Sequence, residues 1–269
     1  MCHLRTAGYN ETRDQETAAN MHGLDAHAHM VNVRQRFANS QWVTFVIDLN
    51  LDLLSTSRDW PEGVQCELHF SRKNDEFVIL SPDADADWKY QLKDLKLHLK
   101  KLQPATALLN ANKAKMLKSP ALYPCIGWIA NEYKLEAHQS HFYTTTLFSS
   151  RVPSKTIYVF LEQDQYLGAY NRNPSMLSSF SLKSFKQRVN GLVSPHALEF
   201  SWNAAQGGED WELGYKQMFE ALSISSLNRG NFLTADTWKR HRFVIVMDNC
   251  ASSGCMDGFR EKPKVRANI

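Results

Sequence analysis

Glycine and proline are sparse in this chain of 269 residues, at 12 and 9 respectively, which excludes collagen-like and low-complexity classes. Long apolar runs are missing too. No stretch approaches the roughly 18 to 20 apolar residues that cross a bilayer, and Met1-Cys2-His3-Leu4-Arg5-Thr6-Ala7-Gly8 lacks the apolar segment of a secretory signal. The expectation is a soluble chain without a membrane span, made without export. Charge of one sign is absent: 31 basic and 28 acidic side chains leave a net charge of +3. That balance does not announce a nucleic-acid partner, though local patches leave such contact open. The five cysteines, Cys2, Cys66, Cys125, Cys250 and Cys255, are odd in number and widely spread. They do not form the framework of a disulfide-stapled mini-domain, and reduced thiols in an intracellular setting fit better. No internal repeat recurs at a solenoid period.

The catalytic signatures are also lacking. Gly-x-Ser-x-Gly, the phosphate loop, His-Glu-x-x-His and the dinucleotide fingerprint do not occur, and Ser252-Ser253-Gly254-Cys255 supplies neither base nor oxyanion hole. The reading is therefore a non-enzyme, with no catalytic residue, cofactor or metal site assigned. Three clusters were weighed against it. His22, His27 and His29 could ligate zinc or copper, but no carboxylate or thiol stands at ligand spacing in a rigid element. Cys250 and Cys255 could pair or help hold a metal, without the two-residue spacing of a zinc knuckle. Asp83, Asp85 and Asp87 imitate the start of a calcium loop, yet Trp88 and Asp94 stand where glycine and glutamate are required.

What is present is strand patterning. Residues 1–37 are polar and irregular. Trp42 to Leu49 is rich in β-branched and aromatic residues, and Val64, Cys66, Leu68 and Phe70 alternate along the next segment. Further strands are expected at Glu76 to Leu80 and Tyr90 to Leu102, where Leu95, Leu97 and Leu99 alternate with Lys96, His98 and Lys100. Between Pro104 and Pro120 the period changes: Ala105, Leu108, Leu109, Asn112 and Met116 predict a helix near 105–119. Strands resume at 122–135, 142–147, 156–161 and 180–189, the last closed by Asn190-Gly191. A second helix is predicted near 209–222 on the stripe Trp211, Tyr215, Met218, Phe219 and Leu222, and an interior strand at Phe243 to Met247. Many short strands with two isolated helices indicate a mainly-β fold of sandwich or jelly-roll type.

Two surface features remain. Lys89, Lys93, Lys96, Lys100, Lys101, Lys113, Lys115 and Lys118 could meet phosphate or an acidic partner, although a solvated face accounts for most such runs. Trp60, Trp88, Trp128, Trp202 and Trp238 could be sugar-stacking platforms or packing anchors, with packing as the default.

Several landmarks fall in a characteristic order. They are Ile47-Asp48-Leu49-Asn50, Trp60-Pro61-Glu62-Gly63-Val64, Leu68-His69-Phe70-Ser71-Arg72 and Asp75-Glu76-Phe77. Ala121-Leu122-Tyr123-Pro124, Arg151-Val152-Pro153-Ser154-Lys155, Gly168 with Asn173-Pro174, Val189-Asn190-Gly191, Tyr215 to Phe219 and Phe243 to Asp248 follow. Over roughly residues 38–250 this order resembles the double jelly-roll major capsid protein of Polinton (Maverick) elements and adintoviruses. The resemblance implies that 38–103 are closing strands of a first jelly roll, 104–120 the connecting helix and 121–250 an incomplete second roll; behind Asp248, where the family continues with further closing strands, residues 251–269 read as a basic tail. It implies a trimeric capsomer of copies of this chain, minor capsid proteins as further partners, and a place in the virion capsid. It also implies a chain cut at both ends: a truncated gene product, a decayed genomic copy or a mispredicted reading frame. A jelly roll without its closing strands exposes an edge, so oligomerisation or aggregation is expected of the isolated chain. A jelly-roll carbohydrate-binding module is the alternative function, and a metal-dependent β-barrel enzyme built on the histidines a third.

Overall fold

Every strand among the described residues lies after residue 142. A computed structural model of the chain describes residues 36–249, except 50, 52–53, 55–58, 62, 82, 84, 124–125, 145, 149–151, 190, 194–195, 203–209 and 225–232, together with the backbone of 265–268. In chain order the helices are α1 (Asp75–Val78), α2 (Thr106–Lys118), α3 (Gln163–Leu167), α4 (Glu212–Ala221) and α5 (Ala235–His241). The strands are β1 (Tyr143–Thr144), β2 (Lys155–Val159), β3 (Ser184–Val189), β4 (Leu192–Val193), β5 (Leu198–Glu199), β6 (Val244–Asp248) and β7 (Val265–Asn268). One sheet has the order β1-β7-β3-β4, with β5 also on β3, and β2 pairs with β6 in a second; all these pairings are antiparallel. Short antiparallel strands in small sheets make the fold mainly β.

The second half follows its pattern. In β3, Phe185, Gln187 and Val189 point inward while Ser184, Lys186 and Arg188 point outward, the period-two division of a half-buried strand. Beyond it Gly191 sits at φ +87°, a turn conformation that glycine adopts without penalty. The β-branched run of β6 is buried through Ile245, Val246 and Met247. α4 lays Gly214, Gln217, Met218 and Ala221 inward and packs on β6, where the Gln217 amide donates to the Val246 carbonyl at 3.2 Å.

The core is aromatic. Trp238 of α5 is wholly buried, with ring centroids 4.9 Å from Phe243 and 5.6 Å from Tyr215. Phe200, just after β5, meets Phe243 edge-on and stacks on Trp202. Tyr158 of β2 meets Phe185 of β3 at 4.6 Å and so joins the two sheets. Its hydroxyl donates to Gln187 Oε1 at 2.5 Å, and the Gln187 amide reaches Asn249 Oδ1. Burial pushes the Tyr158 phenol well above the ordinary tyrosine value, because the phenolate is costly in a dry site. The folded-state value exceeds the unfolded one, so the contribution to stability is complete below pH about 10 and is lost as pH rises beyond it. Chemical denaturation should therefore show a stability loss on the alkaline side that Tyr158→Phe reduces.

The first half departs from its pattern. Segments 42–49, 64–71, 90–102 and 122–135 are not strands, and a single helical turn, α1, replaces the strand expected at 76–80. Alternation assigns side chains to two faces, but a strand also needs a neighbour to complete its backbone hydrogen bonds, and these segments have no ladder partner among the described residues. The helix predicted near 105–119 forms as α2 with Ala105 and Ser119 at its ends, but it buries no residue. The strand expected at 180–189 is shortened: Phe180 and Ser181 lie at positive φ, and β3 starts only at Ser184. Within the expected basic tail, β7 pairs with both β3 and β1.

One part of the first half is tied down. The Arg72 guanidinium bonds the Asp75 carboxylate and the Tyr90 carbonyl and lies over the Tyr90 ring. The Tyr90 N–H, followed by Arg72, holds the Asp75 carboxyl below its ordinary range. This clasp docks on the body where Tyr170 O accepts from the Ser81 N–H and Tyr170 Oη donates to the Trp88 carbonyl, both at 2.7 Å. Gly168, at φ +102°, lets the backbone of Phe77 approach: a Cβ there would lie 2.8 Å from Phe77 N. Gly168→Ala is expected to cost about 1–3 kcal/mol and to raise hydrogen exchange selectively across 75–90.

Candidate interaction surface

Many large apolar side chains among the described residues before residue 136 are open to water. Trp42, Phe45, Val46 and Ile47 are exposed, as are Leu92, Leu95, Leu97, Leu99 and Leu102. Leu108 and Leu117 of α2 and, beyond it, Leu122, Ile126, Trp128 and Ile129 continue the series. Monomeric proteins rarely leave contiguous apolar patches beyond a few hundred Å² open to water. Within these segments Leu95, Leu97 and Leu99 alternate with polar residues and share one face.

The basic residues do not gather into one patch of free charge. Lys93 sits 5.4 Å above the Trp42 ring and Lys89 is 3.3 Å from Asp87. Lys96, Lys100 and Lys101 alternate with the exposed leucines, and Lys113, Lys115 and Lys118 are spread along α2. The tryptophans divide. Trp238 and Trp202 belong to the core, the latter donating its indole N–H to the Leu182 carbonyl at 2.7 Å. Trp60 leans on Tyr123, whose hydroxyl donates to the Asp59 carbonyl at 2.7 Å. Trp88 and Trp128 remain 60% and 80% exposed. Packing is thus the role of Trp202 and Trp238, whereas Trp88 and Trp128 are open to a partner.

Beside Trp128 lies a cleft of about 360 Å³ lined by Ile129, Asn131, Glu132, Tyr133, Thr146, Leu147 and Phe148. Its polar groups are largely engaged already. Asn131 Nδ2 donates to the Leu147 carbonyl at 2.6 Å and Tyr133 Oη to that of Thr146 at 3.2 Å. Glu132 bonds the Tyr166 hydroxyl and raises its pKa. Little remains to orient a small polar ligand, which needs a few convergent free groups.

The acidic triplet is a turn: Asp83 Oδ1 accepts from the Asp85 N–H at 3.1 Å and Asp87 turns to Lys89. Among the described residues no three potential metal ligands converge. His22, His27, His29, Cys250 and Cys255 lie outside the described residues. No helix of the described residues is long and apolar enough to cross a membrane.

Pro153 and Ser154 give their carbonyls to the Asn249 side chain and backbone, and Asn173 Oδ1 accepts from the Ser175 N–H in a tight turn. The Asn249 contact and the Glu162/Gln165 capping box of α3 were not singled out from the sequence. A Glu-x-x-Gln spacing was the available signal for the second. Comparisons with protein-family profiles, curated proteins and solved structures find no match to this chain.

Proposed function

We propose that this chain is a structural subunit of capsid type, built on jelly-roll strands, that works by packing against copies of itself and carries no active site. The observation that supports this reading is the set of apolar side chains left open to water before residue 136 among the described residues. Covering it requires far more contact than a small ligand offers, and protein interfaces of about 1,200–2,000 Å² are of the right scale. The resemblance adds the form of the assembly: a capsomer of three copies, with minor capsid proteins at its borders, in a virion shell. Full-length protein purified at micromolar concentration should elute as trimers or larger species and show regular particles by negative-stain microscopy. A monodisperse, thermally stable monomer would count decisively against the proposal.

The sugar-binding alternative draws on exposed Trp88 and Trp128, since indole faces stack well on sugar rings. Glycan-array binding abolished by Trp128→Ala, with no self-association, would favour it over the shell.

A further inference from the structure

Away from the lysines of residues 89–118, basic residues share one face of the first sheet. Residues directly opposite each other in an antiparallel ladder lie on the same face, so the register assigns them. β3 turns Phe185, Gln187 and Val189 to the core and Lys186 and Arg188 outward. Asn268 of β7 stands opposite Lys186 and also opposite Tyr143 of β1, which sets Tyr143, Asn268 and Lys186 in one outward row. In the next row Arg266 of β7 stands opposite Arg188, with Val193 of β4 on the other side of Arg188. The sequence leading into β7 has a basic residue at every second position, Arg260, Lys262, Lys264 and Arg266; the first three lie outside the described residues and are not counted in this face.

Two arginines opposite each other are unfavourable for the sheet alone, because like charges in that position destabilise a ladder. Arg188 forms no ion pair among the described residues; its guanidinium donates to the Gly191 carbonyl at 3.3 Å. The acidic residue of this face, Glu199, stands opposite Ser184, lies 3.6 Å from Lys186 and is itself 73% exposed, a surface pair worth little. An anion over the arginine row converts repulsion into attraction.

Tyr143 narrows the class of anion. It is 54% exposed and shares its row with Lys186. A sheet face that sets an aromatic ring among basic residues suits a single strand, whose unpaired bases stack on the ring while its phosphates meet the cations. A protein partner fits less well, since interface centres are apolar and depleted of charge, whereas this face centres on Lys186, Arg188 and Arg266.

We propose that the outward face of β1, β7, β3 and β4 binds single-stranded nucleic acid, with Lys186, Arg188 and Arg266 serving phosphates and Tyr143 stacking a base. Binding of this kind does not depend on self-association, because the face lies in the second half of the chain and is complete in one copy.

The experiment titrates full-length protein into a labelled oligothymidylate of about 16 nucleotides, the upper end of common single-strand site sizes. Fluorescence anisotropy should rise at low salt. Affinity should then fall with salt at a log–log slope of about −1.4 to −2.1, the values for two or three phosphates neutralised. Arg188→Glu should weaken binding severalfold and flatten the slope by about 0.7 or more, yet keep the sheet, since glutamate opposite Arg266 makes an opposite-charge pair. If circular dichroism shows that this variant does not fold, Arg188→Gln carries the same comparison. Tyr143→Ala should weaken binding severalfold at unchanged slope, and Tyr143→Phe should restore it. Lys216→Glu, the same change of charge on the exposed side of α4, should bind as the unmodified protein does. No rise in anisotropy at low salt overturns the site, and so does an equal loss in Lys216→Glu, which would mean attraction by net charge. Displacement by polyglutamate at equal charge, with Tyr143→Ala without effect, overturns nucleic acid as the occupant in favour of an acidic protein.

Discussion

Replacing Trp238 with alanine is expected to cost about 3–5 kcal/mol, a large share of the roughly 5–15 kcal/mol that holds an ordinary domain together. The side chain is wholly buried and lies against Phe243, Tyr215 and Trp211, so truncation leaves a void that two rings from α4 and its N-cap and one from the residue before β6 must fill. Those rings have little room to adjust. A Cβ added at Gly214 would already lie 2.7 Å from Phe200 and 3.4 Å from Trp238, which shows how closely α4 approaches the cluster. The indole N–H also donates to the Val244 carbonyl at 3.2 Å, and alanine leaves that acceptor unserved. Trp238→Phe should recover part of the loss, since it restores ring volume but not the donor. Urea denaturation followed by near-ultraviolet circular dichroism measures both.

The parts of this fold that could be read from sequence are those whose signal is complete within one segment. β6 announces itself by the consecutive apolar residues Val244 to Met247, and α4 by its stripe, of which Met218 is buried and Tyr215 and Phe219 pack on the core. The α2 helix was legible for the same reason, between prolines 104 and 120. Its packing was not, because period says which face is apolar and nothing of what covers it. β7 is not legible because the alternation in Val265-Arg266-Ala267-Asn268 is only four residues long, with alanine as one of its two apolar members; its register with Lys186 to Val189 makes it a strand. α5 was missed because one buried residue, Trp238, anchors it, although Thr234 Oγ1 caps the Thr237 N–H at 3.2 Å. Conversely, segments 42–49, 64–71 and 90–102 carry clear patterns without ladders. Alternation is a property of one segment, whereas pairing requires a second.

Asn249→Ala is expected to destabilise the protein by roughly 3 kcal/mol, more than its size suggests. This side chain is wholly buried and closes a polar network at the end of β6. Its amide donates to the Pro153 carbonyl at 2.8 Å and to Thr156 Oγ1 at 2.9 Å, and its Oδ1 accepts from Gln187. Gln187 is also wholly buried and takes the Tyr158 hydroxyl on its other atom, so the chain of bonds runs from β2 through β3 to the end of β6. Truncating one member strands the others in a dry site, and each unserved buried group costs about 1–3 kcal/mol. Removing two together should cost less than the sum. Gln187→Leu with Asn249→Leu deletes the mutually dependent amides and replaces them with apolar volume, leaving the Tyr158 and Thr156 hydroxyls and the Pro153 carbonyl as the groups to be rehydrated. A double-mutant cycle on denaturation free energies should therefore return a coupling of about 1 kcal/mol or more between positions 187 and 249. Strict additivity would mean that the amides act separately and that the network does not tie the two sheets. The alkaline stability loss assigned to Tyr158 offers an independent check: it should shrink in Gln187→Leu if hydration of the phenol rises once its acceptor is gone, because the folded-state pKa then moves back toward the unfolded one.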